Sequence, residues 1–128
     1  MIIDAYGDPY VGQALAAFDR DMGLPDPPKF YVIYYQATQF PTQGDWGWGL
    51  EANLDVQWAH AMLPGANIIL VYTPHPDDSL FMAIADMLNL LSGKPMIISL
   101  SWGAYEDALI SYGISISGYE QILATAAA

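Results

Sequence analysis

Apolar positions along this chain change their spacing several times, and each change marks a new element. Residues 1–5 are a short apolar run interrupted by Asp4 and closed by the turn signal Tyr6-Gly7-Asp8-Pro9. A helical period follows over residues 10–22, with Leu15 and Phe18 on its apolar face and Asp8 or Pro9 near its start. Gly23-Leu24-Pro25-Asp26-Pro27-Pro28 stops it. Residues 30–35, aromatic and β-branched, predict a strand. A loop rich in Gln, Thr, Pro and Gly runs to about Gly47. A second helical period begins at Gly49, continues to Met62 and ends near Pro64-Gly65. Residues 66–72 are continuously apolar enough for a buried strand. After the loop Thr73-Pro74-His75-Pro76-Asp77-Asp78, a third helix runs to about Leu91, with Asp77, Asp78 or Ser79 available as its cap. Residues 96–100 predict a fourth strand leading into Ser101-Trp102-Gly103, and residues 117–126 a last helix.

Four strands alternating with helices require crossover connections. The expected fold is therefore α/β, a mainly parallel sheet with helices on both faces, formed by residues 1–128 as a single domain. In such sheets functional groups gather at the carboxyl ends of the strands. Asp4, the 73–78 loop and Ser101-Trp102 all fall there, as does the approach to the second helix.

Composition narrows the functional classes. Apolar residues make up 54% of the chain, ample for a core. No apolar run reaches the roughly 20 residues needed to span a bilayer, and no signal-peptide pattern is visible. Three basic residues against fourteen acidic ones give a formal charge of −11. That balance excludes the phosphate neutralisation on which nucleic-acid binding depends, and adsorption on anionic membrane. It also leaves few fixed positive charges once carboxylates are protonated, which suits an acidic medium. With no cysteine, disulfides and thiolate metal sites are excluded.

The second helix carries the candidate chemistry. Leu50, Leu54, Trp58, Ala61 and Met62 form an apolar stripe suited to packing on the sheet. Glu51 and Asp55 lie one step around from it. Their i, i+4 spacing puts their Cβ atoms about 5–6 Å apart. Two readings stand. The pair is a negative helix start favoured by the macrodipole, or it is a dyad sharing a proton, with one pKa raised by mutual repulsion. A dyad would deprotonate a nucleophile at acidic pH, where a histidine base is already protonated.

Several segments, taken in order, decide between them: Ile2-Ile3-Asp4-Ala5-Tyr6-Gly7-Asp8-Pro9, Glu51-Ala52-Asn53-Leu54-Asp55, Trp58-Ala59-His60-Ala61, Pro64-Gly65-Ala66 and Ser99-Leu100-Ser101-Trp102-Gly103. In this order and at these separations the chain resembles the sedolisins, serine-carboxyl peptidases with a subtilisin-like fold, over nearly its whole length. The resemblance implies a partial subtilisin-like domain, the N-terminal portion of an acid-active endopeptidase. It makes Glu51 the general base and Asp55 its orienting partner, in an E-x-x-x-D motif. It extends the proton network to Asp4, where some members carry glutamate, and to Trp102. It also implies that the nucleophilic serine in a Gly-Thr-Ser context, the oxyanion aspartate and the family's calcium site belong to a part beyond residue 128. No cofactor is expected within these residues, and the chain alone is expected to be inactive. The resemblance points to a secreted or acidic location. Expected partners are a peptide or protein substrate once the domain is completed, and the missing half or a second copy of the chain. The alternative is a non-catalytic binding or assembly module on the same scaffold.

Other candidates read more plainly. Ser99, Ser101, Ser115 and Ser117 lack a nucleophile's context; Ser115 and Ser117 sit in a Gly-Ile-Ser-Ile-Ser-Gly run without the second required glycine. Ser117 with Glu120 reads as a capping box. His60 falls five residues past Asp55, off its face, and reads as structural. His75 with Asp77 and Asp78 is no specific metal signature, and capping accounts for it better. Gly44-Asp45-Trp46-Gly47-Trp48-Gly49 lacks the Lys and Ser/Thr of a phosphate loop. Trp46 and Trp48 either pack under the helix start or line the cleft.

Overall fold

A computed structural model describes residues 1–36, 45–111 and 116–127. The elements are β1 (Ile2–Ala5), α1 (Val11–Met22), β2 (Phe30–Tyr34), α2 (Trp46–Met62), β3 (Ile68–Thr73), α3 (Asp78–Leu90), α4 (Glu106–Ser111) and α5 (Ile116–Ala126). The three strands form a parallel sheet in the order β1-β3-β2, so the expected α/β class holds. β3 is central, with Asp4 opposite Tyr72 on one side and Tyr34 opposite Tyr72 on the other.

Side-chain alternation divides the sheet between two layers. Ile2, Ile68, Leu70 and Tyr72 pack with Val11 and Leu15 of α1 and Ala52 and Val56 of α2. Ile3 and Val71 face the other way, onto Leu80, Ala83, Ile84 and Met87 of α3, with Trp102 and Ile122 at the margin of that cluster. Helices thus cover both faces. None of the described helices is long and apolar enough to cross a membrane.

The ends of the elements follow local chemistry. α1 closes at Gly23, whose φ of 68° is the left-handed conformation that glycine adopts without a Cβ clash. Asp45 caps α2 by accepting from the Trp48 amide at 2.9 Å, so the helix starts at Trp46, a turn earlier than its apolar period. Asp77 caps α3 in the same way, through the Ser79 amide. α5 begins at Ile116, which puts Ser117 inside the first turn rather than at the cap. Ser115, Gly44 and the rest of the 37–44 loop lie outside the described residues.

Two expectations need correction. Residues 96–100 form no extended strand but a single parallel bridge, Ile2 to Ser99. The Ser99 amide donates to the Met1 carbonyl at 2.9 Å and the Ile3 amide to the Ser99 carbonyl at 3.4 Å. The same β1 makes a full ladder with β3 on its other side, so it is the 96–100 segment that meets it at only one point. The second correction concerns α2. Its buried residues are Ala52, Val56 and His60. The stripe expected to pack inward turns outward instead, with Leu50 59%, Leu54 49%, Trp58 58% and Met62 79% exposed. The small side chains of Ala52 and Val56 let α2 lie close to α1 and β1, and the bulkier stripe is left on the far side.

Candidate functional site

Asp4 is the last residue but one of β1, and the register sets its side chain beside Tyr72, on the α2 face of the sheet. It has no exposed surface, and neither carboxylate oxygen has a hydrogen-bond partner. Burial, reinforced by the negative charges of Asp55 and then Glu51, raises its pKa to about 7. A group this perturbed is neutral under acidic conditions, when it becomes a hydrogen-bond donor. Asp4, Glu51 and Asp55 are therefore brought within electrostatic reach of one another from two elements distant in sequence.

Glu51 and Asp55 lie in the middle part of α2, both half-buried. Asp55 Oδ1 accepts from the Ser101 hydroxyl at 2.7 Å, while Asp55 Oδ2 is buried without a partner. Asn53, between the two acids, donates to Asp8 Oδ2 at 2.7 Å and to the Gly49 carbonyl at 2.8 Å. Asp8 also accepts from the Tyr10 amide ahead of α1. This chain of contacts ties α2 to the turn after β1 and so sets where the two carboxylates stand relative to Asp4.

Trp102 reaches the same strand end by another route. Its indole N–H donates to the Ile3 carbonyl at 2.8 Å, and its ring meets Phe81 edge-on at 5.1 Å. The indole hydrogen is thus spent on main chain next to Asp4. Below Asp4 the sheet row continues through Tyr72, stacked on Tyr34 at 5.5 Å. Burial, then the charges of Asp8 and Asp4, push the Tyr72 hydroxyl pKa upward.

The remaining candidates take structural places. His60 is fully buried, its Nε2 2.8 Å from the Pro25 carbonyl and 3.4 Å from Asp19 Oδ1. It joins α2 to α1 and the loop after it. His75 is exposed, its ring edge-on to Tyr6. Asp77 is occupied as a cap, and Asp78 accepts from the Tyr119 hydroxyl. Among the described residues no group of three or more His, Cys, Asp or Glu is arranged to hold a metal ion. Trp48 packs edge-on against Tyr6, whereas Trp46 is largely exposed. The Ser101–Asp55 contact and the burial of Asp4 have no signal in the spacing of residues, since both depend on the 99–102 segment returning to β1.

No family model matches the chain. Kumamolisin from Bacillus sp. (strain MN-32) is 33% identical to it over 102 residues. The chain is similar to part of a sedolisin. The match takes in 80% of this chain and 18% of kumamolisin, so the chain spans less than a fifth of that relative's length. It supports a sedolisin-like peptidase origin.

Proposed function

We propose that this chain is the N-terminal portion of a sedolisin-like, acid-active serine-carboxyl endopeptidase and carries its general-base half. Glu51 takes the proton of a nucleophilic serine supplied by the rest of the catalytic domain. Asp55, one helical turn on, orients Glu51, Asp4 forms the buried end of the network, and Trp102 holds the strand beside it through the Ile3 carbonyl. The observation that carries the reading is the convergence of three carboxylates on one strand end, with Asp4 shifted to about 7 by burial and by the other two.

The chemistry follows from charge. Three clustered carboxylates are not all ionised together at acidic pH. With the proton on Asp4, the pair nearer the surface stays available as base and partner. A carboxylate keeps this capacity at a pH where imidazole has lost it. Acyl transfer needs a nucleophile as well as a base, so activity requires the completing half. No step runs through a metal, and the family's calcium belongs with that half.

The test is to supply a serine-bearing C-terminal half from a sedolisin and assay peptide hydrolysis at about pH 3–5, where carboxylate bases operate. Glu51→Gln and Asp55→Asn should each reduce kcat by about 100-fold or more, as loss of a positioned base does. Full activity in the double variant would sink the mechanism. A second reading, a non-catalytic assembly module, is favoured by one observation, the outward apolar stripe of α2. An inert but tightly associated complex of the two halves would support it.

A further inference from the structure

The backbone on either side of Ser101 is pinned. Two residues earlier, Ser99 exchanges main-chain hydrogen bonds with Met1 and Ile3. One residue later, the Trp102 indole is bonded to the Ile3 carbonyl and its ring rests against Phe81. Ser101 is exposed, but the backbone that carries its hydroxyl is held in place on both sides. It donates to Asp55 Oδ1 at 2.7 Å across 46 positions of sequence. That length is normal for a well-formed hydroxyl-to-oxygen hydrogen bond.

The other oxygens nearby have no such donor. Asp55 Oδ2 and both oxygens of Asp4 are out of contact with water and unpartnered. Leaving buried acceptors unmatched is unfavourable, and one proton held within the cluster relieves it. The titratable groups around that proton are Asp4 on β1, Tyr72 on β3, Tyr34 on β2, Asp8 in the turn after β1, and Glu51 and Asp55 on α2. A hydroxyl donor on one carboxylate favours that carboxylate's ionised form.

We propose that Ser101 is a positioning residue of the carboxylate cluster: its hydroxyl holds Oδ1 of Asp55 and so fixes the carboxylate in one orientation, with Oδ2 left on the buried side. Asp55 then keeps a constant orientation relative to Glu51, one turn away. The inference deepens the reading of Glu51 and Asp55 as a proton-handling pair and rests on that reading for its catalytic consequence.

The test is a carboxyl-carbon NMR titration of the full chain as wild type, Ser101→Ala and Ser101→Thr. In Ser101→Ala the cluster's acid-side protonation step should move up by about one pH unit, since a bond to the ionised form is lost. Ser101→Thr should restore the wild-type curve. An unmoved step in Ser101→Ala, or a shift that threonine does not reverse, would overturn the proposal. A measurement on the wild type covers the case of a misfolded variant. The Ser101 side chain should hold a single χ1 rotamer, read from its three-bond couplings, and rotamer averaging overturns the proposal too. Peptide hydrolysis is not read here, so a negative titration counts against Ser101 and a negative complementation against the peptidase reading.

Discussion

A carboxyl group with no exposed surface is stabilised in its neutral form, and Asp4 also has two negatively charged neighbours. The sign of its effect on stability follows. Unfolded, it titrates near an ordinary aspartate's 3.8; folded, near 7. Between those values the folded chain holds a proton that the unfolded chain has released, so stability is full at the acid end and falls as pH rises through the window. The shift of about three units sets an upper bound of about 4 kcal/mol on this loss. Asp4→Asn should flatten the dependence. Its urea midpoint should change less than the wild type's between about pH 5 and about pH 8. Equal changes in the two proteins would show that Asp4 does not titrate in this range. At this scale the i, i+4 spacing of Glu51 and Asp55 was readable from the chain alone. The link to Asp4 came only with the family resemblance, not from spacing, because it arises from the parallel register that sets Asp4 opposite Tyr72.

Among the elements, α2 is the most informative. Its outward residues, Leu50, Leu54, Trp58 and Met62, are more apolar in bulk than its inward ones. A periodicity argument therefore selects the wrong face. The inward face is chosen by closeness of approach, which favours Ala52 and Val56, and by His60, whose ring finds partners in Asp19 and Pro25. The two faces can be told apart by stability. Val56→Ala should cost about 2 kcal/mol in a chemical denaturation, through lost burial and a residual cavity. Leu54→Gln should stay within about 0.5 kcal/mol, as exposed substitutions do. The reverse ranking would place the stripe in the core. The alternation of strands and helices was legible because each strand is short and apolar and α1, α2 and α3 each have a cap or stop. α4 was not, since six residues are too few to display a period. The 96–100 segment reads as a strand by composition, yet pairing rather than composition makes a ladder, and here it has β1 on one side only.

For the molecule as a whole, the exposed stripe of α2 and the outer side of the 96–100 segment are surfaces that water covers poorly. The charge of −11 opposes self-association, so the two effects compete, with salt favouring contact. We expect the isolated chain to self-associate in sedimentation at high concentration and moderate salt. Leu54→Glu with Trp58→Glu should return it to a monomer. A stable wild-type monomer under those conditions would count against the stripe as an interface. A completing half that covers the stripe should likewise abolish self-association as it binds.

The account turns on three carboxylates within electrostatic reach of one another, and Asp4 reports this most directly. The measurement is the pH titration of the Asp4 carboxyl carbon in the chain as it stands. The account predicts a midpoint near 7, moving down towards the ordinary aspartate range when Glu51 and Asp55 are replaced by Gln and Asn. A wild-type midpoint near 3.8, unmoved by those replacements, would contradict it.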